Sequence, residues 1–354
     1  MDIVTQGTKR IFVCGGGHQG LAMAAHLALA GEQVTLWNRT LEHIEEIKKT
    51  NKILCSGVVE GTAVIEKASE HIEEVISDFI MVTVPSTAYK DVAKLLAPYV
   101  KKDTIIILNP GRTFGAIDFA TQLAAYGVKD IPLIAETQTI VYTCRRSDKN
   151  QVTIFALKNN VGIATIRKGS INYILEHLPS CLKKHFVPEN TVAMTSLSNV
   201  GMILHCAPVL MNIGWIESKK VDFKYYYDGI SQSVAHYIEK MDEERIRVAA
   251  ALGYQIESTS EWLRRTYNIE GRDLYECIRN NTAYREIDAP PSLDSRYILE
   301  DVPNGLVPVE YIGRQLQIET FNITTIIDLA NAVYNTDFRA LGRTFPKDIL
   351  DKFF

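Results

Sequence analysis

The first forty residues show an apolar run, a group of glycines and a second apolar pattern with a different spacing. Residues 11–14 form a short run with β-branched members, as expected for a buried strand. After the glycines, apolar residues recur at helical spacing as far as Gly31, and Gln33–Trp37 has the composition of another strand. The order strand, glycine-rich turn, helix and strand predicts a βαβ unit.

Apolar runs of strand length continue through the first half of the chain, whereas long helical periods replace them after Pro188. The runs that we interpret as further strands are residues 79–84, 104–108, 132–135, 151–157 and 161–166. In the second half, residues 191–216 and 230–252 predict helices. The pattern therefore predicts an α/β chain, with a Rossmann-type doubly wound sheet in residues 1–188 and an all-α domain in residues 189–354.

The glycines after the first strand fit the dinucleotide-binding pattern G-x-G-x-x-G as Gly15, Gly17 and Gly20. In this pattern the first glycine permits a tight turn, the second admits the pyrophosphate, and the third allows close packing of helix and strand. The backbone N–H groups of His18 and Gln19 are then expected to face the phosphates. The alternative is a glycine-rich turn that binds no ligand.

The second strand ends in Asn38-Arg39, where NAD-binding folds usually carry an acidic residue for the ribose 2′-hydroxyl. An acid would repel a 2′-phosphate, whereas a guanidinium can bind it through paired, charged hydrogen bonds. The sequence therefore predicts NADP as the preferred cofactor and leaves NAD open. The alternative for Arg39 is an ordinary exposed arginine.

Polar turns follow three of the other predicted strands. Because ligands of open parallel sheets collect at the carboxyl ends of the strands, we expect these turns to line the cofactor site. Any one of them could instead be only a turn. The residues predicted to contribute are Val84, Pro85, Ser86, Asn109, Gly111 and Glu136.

A polar stripe crosses the predicted helix 191–216, because Ser198, His205 and Asn212 are spaced by seven residues, about two helical turns. His205 can be a catalytic residue or a hydrogen-bonded core residue, and Pro208 is expected to kink the helix just beyond it. Asp301 also has two interpretations: it can cap the helix that follows, or accept a hydrogen bond from a histidine and orient the ring.

Two further segments of the second half carry expectations. The charged run 239–247 in the helix 230–252 is most simply a solvated face. Residues 264–303 are rich in Tyr, Arg, Asn and Pro and are typical of a lid or substrate loop, although a disordered connector would have a similar composition.

Composition excludes several classes of protein. The 354 residues carry a net charge of −4, which gives no reason to expect a nucleic acid or an acidic membrane as partner. No apolar run approaches the roughly 20 residues that span a bilayer. The 6 cysteines are scattered without a CxxC pair. They indicate reduced thiols of a cytoplasmic protein, and no cluster suggests a metal site.

Several longer stretches resemble the opine dehydrogenases of the octopine/nopaline type over nearly the whole chain. In the first half these are "VTVPS", "LNPGRTFGA" and "AETQTIVYTCRR". In the second half they are "SNVGMILHCAPVLMNIG", "FKYYYDGISQSVAHYIEKMDEER" and "RYILEDVPNGLVPVEYIG". Glu319 lies where relatives often carry a proline step, so this position departs from the family pattern.

The resemblance implies an NAD(P)H-dependent reductive condensation of an L-amino acid with a 2-oxo acid such as pyruvate, giving an N-(carboxyalkyl)amino acid. It further implies that His205 and Asp301 form an acid/base dyad, and that Arg296 holds a substrate carboxylate. Two other functions stay open: an NADPH-dependent reductase of a simple 2-oxo acid, and a nucleotide-binding sensor without catalysis. The partners are then small-molecule substrates, and the sequence is compatible with a homodimer without specifying it.

Overall fold

The computed structural model describes residues 10–218 and 222–345, and its contacts divide the chain into two units. Unit 1 ends at Thr195 and unit 2 begins at Ser196, slightly beyond the predicted boundary. The outer ends of the two predicted domains, residues 1–9 and 346–354, lie outside the described residues.

Unit 1 is an α/β unit with two sheets. Its strands are β1 (Arg10–Cys14), β2 (Gln33–Trp37), β3 (Lys52–Gly57), β4 (Gly61–Val64), β5 (Lys67–Ser69), β6 (Phe79–Val82), β7 (Ile105–Leu108), β8 (Leu133–Thr137), β9 (Tyr142–Asp148), β10 (Gln151–Leu157), β11 (Val161–Thr165) and β12 (Phe186–Pro188). Its helices are α1 (His18–Leu29), α2 (Glu45–Thr50), α3 (Tyr89–Leu96), α4 (Gly115–Ala125), α5 (Ile171–His177) and α6 (Ser180–Lys183), and α7 (Val192–Leu197) spans the boundary with unit 2. Short 3-10 turns cover Leu41–His43, Ile72–Glu74 and Ser86–Ala88.

The main sheet has eight strands in the order β12-β11-β8-β7-β6-β1-β2-β5. All neighbouring pairs are parallel except β11 with β8. The strand order reverses direction at β1. Because β1, β6, β7 and β8 are parallel, their carboxyl ends lie along one edge of the sheet, where ligands of such sheets bind. This arrangement confirms the predicted Rossmann-type sheet.

A second, four-stranded sheet in the order β4-β3-β10-β9 was not predicted. Its inward side chains, among them Ile53, Val152 and Ile154, share one hydrophobic core with Leu21 and Ala25 of α1. Because α1 contacts strands of both sheets, every residue from Gly20 to Leu27 is buried. The predicted strand at residues 151–157 exists, but it belongs to this second sheet and does not extend the first.

Unit 2 is helical, as predicted. Its helices are α8 (Gly201–Met211), α9 (Ile213–Ser218), α10 (Gln232–Ala251), α11 (Thr259–Tyr267), α12 (Leu274–Asn280), α13 (Arg296–Leu299), α14 (Val307–Gln315), α15 (Phe321–Tyr334) and α16 (Phe338–Leu341), with a 3-10 turn at Thr282–Tyr284 and a π-helical turn at Val302–Leu306. The segment 264–303 therefore contains helices, and the prediction of a loop there is wrong for α12 and α13.

Two other predictions for the helical half are wrong in detail. The helix predicted at 191–216 is interrupted between Leu197 and Gly201, so Ser198 is not on the helix that carries His205. The expectation that no apolar run approaches the length of a membrane span is also wrong: Val192–Met211 has that length and composition, and 78% of its 18-residue apolar window is buried inside the protein.

The charged run of α10 is also not a solvated face, because Asp242, Glu244 and Arg245 are buried. Arg245 donates to Asp242 Oδ1 at 2.8 Å and to the carbonyl oxygens of Leu197 and Glu257. Asp242 and Glu244 accept from groups at the first turns of α11 and α15. The sequence alone predicts a solvated run, because the groups that bond to these charges from other elements lie far along the chain.

Candidate active site

The glycine-rich turn joins β1 to α1 in a conformation that only glycines permit. Gly15 has a φ of +121°, and a Cβ atom built on Gly20 would lie 1.6 Å from the Gly15 carbonyl oxygen. By contrast, a Cβ on Gly17 would meet no atom within 4 Å, so the space beside this residue is open. Within the described chain no side chain caps the start of α1, whose first N–H groups therefore suit an anion. The turn fits the pyrophosphate of a dinucleotide.

The side chains of His18 and Gln19 face β9 of the second sheet. The backbone N–H of Arg146 donates to His18 Nδ1 at 2.8 Å, and Gln19 Nε2 donates to the Tyr142 carbonyl at 3.3 Å. The Arg146 guanidinium donates to the carbonyl oxygens of Gly16 at 2.9 Å and His43 at 2.6 Å. The "YTCRR" stretch thus holds the turn in place, a role that the sequence did not reveal.

Asn38 and Arg39 occupy different positions at the end of β2. Asn38 Oδ1 accepts from the Gly16 N–H at 3.0 Å, so this side chain also supports the turn. The Arg39 side chain is 76% exposed, with one guanidinium nitrogen 3.7 Å from Asp91 Oδ2. Such an exposed ion pair is weak and leaves the guanidinium able to bind a phosphate.

The predicted polar turns lie at the carboxyl edge of adjacent parallel strands. Val84, Pro85 and Ser86 follow β6, and Asn109 and Gly111 follow β7.

Glu136 lies in β8 and is fully buried. Its carboxylate accepts from the Ala116 N–H and from the Thr195 hydroxyl, each at 2.8 Å. A Cβ on Gly111 would lie 2.5 Å from Glu136 Oε2, so Gly111 is needed for this close approach. Glu136 therefore supports the start of α4.

In unit 2, the side chains of His205 and Asp301 meet although they are 96 residues apart in the sequence. His205 Nδ1 lies 2.7 Å from Asp301 Oδ2, and the two side chains are 13% and 0% exposed. Asp301 precedes the π-helical turn, yet its side chain makes no capping bond there. Of the two interpretations of Asp301, the geometry supports the histidine partner.

Aromatic side chains hold the His205 ring. Tyr297 stacks on it with ring centroids 4.0 Å apart and an interplanar angle of 11°. The Tyr225 hydroxyl lies 2.6 Å from the His205 carbonyl oxygen and 3.3 Å from that of Leu204. Since Pro208 has no N–H to offer the Leu204 carbonyl, Tyr225 can replace the missing helical donor.

Tyr226 was missed at the level of the sequence. Its hydroxyl lies 3.3 Å from His205 Nε2, on the side of the ring opposite Asp301. The only signal was the run "YYY" within the family-like stretch, which does not say which of the three hydroxyls reaches the histidine.

Arg296 lies in α13, next to Tyr297 and five residues before Asp301. Its side chain is 54% exposed, and Nε lies 3.7 Å from Glu300 Oε2. Asn212, the third member of the predicted polar stripe, donates to the carbonyl oxygens of Pro208 and Gly229, so it is a structural residue. Among the described residues, no group of three or more His, Cys, Asp and Glu side chains is arranged to hold a metal ion.

Comparison with known proteins gives consistent matches for both units. The family model of the NAD/NADP octopine/nopaline dehydrogenase α-helical domain matches residues 188–334, and that of ketopantoate reductase matches residues 11–111. An opine dehydrogenase from Arthrobacter sp. (strain 1C) is 36% identical over 96% of this chain and 95% of its own length. The ocs protein of Agrobacterium vitis is 23% identical over 94% and 93%.

Solved structures show the same fold. Octopine dehydrogenase with NADH and L-arginine superposes with a TM-score of 0.78 at 18% identity, covering 93% of this chain and 90% of that one. Yersinopine dehydrogenase with NADP+ bound superposes with a TM-score of 0.73 at 14% identity, covering 97% and 95%.

Proposed function

The chain belongs to the opine dehydrogenase family, whose members are NAD(P)-dependent oxidoreductases acting on CH–NH bonds, and we propose that His205 and Asp301 carry its acid/base chemistry. The reaction is the reductive condensation of an L-amino acid with a 2-oxo acid such as pyruvate. The observation that carries the assignment of the dyad is the 2.7 Å contact between His205 Nδ1 and Asp301 Oδ2.

The contact determines how the imidazole can act. A buried carboxylate accepts the proton of Nδ1–H, which fixes the tautomer and favours the charged ring. The chemistry therefore takes place at Nε2. Because imidazole titrates near neutral pH, Nε2 can both accept and return a proton under ordinary conditions.

Imine formation needs Nε2 to accept and return a proton twice. Nε2 of the neutral ring first takes a proton from the ammonium group of the amino acid, the free amine attacks the 2-oxo carbon, and the charged ring returns the proton to the resulting alkoxide to give the carbinolamine hydroxyl. Nε2 then takes the extra proton from nitrogen and donates it to that hydroxyl, which leaves as water and leaves an iminium carbon. A bound nicotinamide would supply the hydride that reduces this carbon.

Both substrates carry carboxylates, and Arg296 is proposed to bind one of them. Its half-exposed guanidinium makes only a long contact to Glu300, so two N–H groups can form a paired interaction with a substrate carboxylate. Its neighbour Tyr297 stacks on the His205 ring, which fixes the start of α13 close to the dyad.

We propose that the cofactor binds through the backbone of the turn at Gly15, Gly17 and Gly20, with Arg39 favouring NADPH over NADH. We further propose a cytoplasmic location, because all six cysteines are free thiols. A homodimer stays a prediction.

The proposal is tested by following NADPH absorbance with a matrix of amino acids and 2-oxo acids. Turnover should require both substrates. His205→Ala should reduce kcat by about 100- to 10,000-fold while leaving NADPH binding intact. His236→Ala, on the exposed face of α10, is the matched control and should behave as the wild type.

Three results would contradict the proposal. NADPH consumption with a 2-oxo acid alone would favour the simple reductase. NADPH binding without turnover on any pair would favour the sensor. Full activity of His205→Ala would remove the dyad from the mechanism.

A further inference from the structure

The His205 ring has a hydrogen-bond partner at each nitrogen. Asp301 occupies Nδ1 at 2.7 Å, and the Tyr226 hydroxyl lies 3.3 Å from Nε2, the atom at which the proposed proton transfers occur. With Nδ1–H directed to the carboxylate, Nε2 of the neutral ring is an acceptor, so the Tyr226 hydroxyl is the donor. When the ring is charged, Nε2–H can donate to the same hydroxyl oxygen, so Tyr226 is a partner of Nε2 in both charge states, and the bond from the charged ring is the stronger one.

Packing holds the Tyr226 ring in this position. It stacks on Tyr284 with centroids 4.1 Å apart and an interplanar angle of 17°, and meets Tyr225 edge-on at 4.9 Å. Tyr226 itself is only 5% exposed. A side chain fixed by two aromatic neighbours does not reach Nε2 by chance rotation, so the contact is part of the native packing.

We propose that Tyr226 is a positioning residue that acts through His205, holding Nε2 in place in both charge states until substrate takes the place of the hydroxyl. This inference rests on the proposed dyad. It assigns to the second tyrosine of "YYY" a role in the reaction that its neighbours do not share, since the Tyr225 hydroxyl bonds to the carbonyls of Leu204 and His205 and that of Tyr227 to the carbonyls of Arg279 and Asn281.

The hydroxyl of Tyr226 keeps its proton throughout the working range. Burial raises its pKa well above the ordinary value, and the nearby Tyr297, Tyr267 and Asp301 raise it further, while Arg296 opposes them. Tyr226 therefore stays neutral, and only the imidazole changes its charge.

The charged and titratable groups around His205 determine the sign of the effect. They come from two segments: Asp301, with Tyr297, Arg296 and Glu300 beside it, and the tyrosines 225 and 226. Removing the Tyr226 hydroxyl takes a partner away from both forms of the ring, and the charged form loses the stronger bond. The pKa of His205 should then fall.

The test compares Tyr226→Phe with Tyr227→Phe, which removes a hydroxyl from the next residue and leaves Nε2 untouched. Tyr226→Phe should shift the His205 limb of the kcat/KM pH profile downward by about half to one pH unit, the range expected for one hydrogen bond. It keeps the ring that stacks on Tyr284, so the fold should persist. Tyr227→Phe should not move the profile, because its hydroxyl bonds to the carbonyls of Arg279 and Asn281.

A second measurement separates this inference from the proposed function. Titration of the His205 ring nitrogens by NMR, with His205→Gln used for assignment, does not depend on turnover. The same downward shift in Tyr226→Phe supports the contact even if the dyad proves unnecessary for catalysis. Superimposable titrations and pH profiles for Tyr226→Phe and the wild type would overturn the inference, whatever the activity of His205→Ala.

Discussion

The glycine-rich turn of unit 1 and the histidine site of unit 2 are built in opposite ways. The turn uses backbone groups within six consecutive residues, Gly15 to Gly20, and its neighbouring side chains serve to hold it. The histidine site uses side chains that are 96 residues apart in the sequence and are brought together by packing. A site made of backbone is recognisable from local spacing, whereas a site made of side chains depends on the tertiary fold.

The comparison also separates the two kinds of damage that substitutions should cause. In the turn, the limiting factor is space, because a single Cβ atom at the wrong glycine collides with the chain. In the histidine site, the limiting factor is hydrogen bonding, because an isosteric change can preserve shape and remove function.

The largest expected effect comes from Asp301→Asn. An amide can present an N–H group to Nδ1 and so disfavour the tautomer that leaves Nε2 as the acceptor. We expect kcat to fall by about 100- to 10,000-fold, the usual contribution of acid/base catalysis. Fluorescence titration with NADPH should give an unchanged Kd. A parallel loss of cofactor binding would show that the histidine site and the glycine-rich turn do not act independently.

Next in size is the contrast between Gly20→Ala and Gly17→Ala. At position 20 the new Cβ would lie 1.6 Å from the Gly15 carbonyl oxygen, so we expect destabilisation of about 3 kcal/mol or more.

At position 17 no atom lies within 4 Å of the new Cβ, so thermal stability should be unchanged while the KM for NADPH rises. Thermal unfolding and KM measured on both variants check this contrast. Equal melting temperatures for the two would show that the turn is less tightly packed than its geometry indicates.

The smallest effect is expected at Arg39, whose side chain is 76% exposed. Arg39→Asp should shift the ratio of kcat/KM for NADPH and NADH toward NADH by about tenfold, which corresponds to ~1.4 kcal/mol. Asp91→Ala removes the acid 3.7 Å from Arg39 and should move the ratio slightly the other way. If neither variant changes the ratio, Arg39 does not contact the 2′-phosphate.

Periodicity predicted the elements of the main sheet well. The bounds of β2 agree with the prediction, and β6, β7 and β8 differ from it by two residues or fewer at each end. These strands are buried on both faces and therefore have continuous apolar runs. The strands β3, β4 and β9 were missed because they are half exposed, so their alternation is hard to distinguish from a loop.

The wrong prediction of a solvated face in α10 has a physical origin. Charges such as Asp242, Glu244 and Arg245 look solvated until their partners on α11, α15 and the loop before α11 are known. The same dependence on distant partners hid Tyr226, whose importance lies entirely in the 3.3 Å contact with His205.

By itself the sequence determined the glycine-rich turn, the alternation of strands and helices, and the family, because each depends on residue types at short or regular spacing. Only the tertiary structure decided that Asp301 bonds to His205 instead of capping a helix, and that Tyr226 reaches the other ring nitrogen. Side-chain hydrogen bonds act over about 3 Å, and only the packing of the helices brings such distant residues within that range.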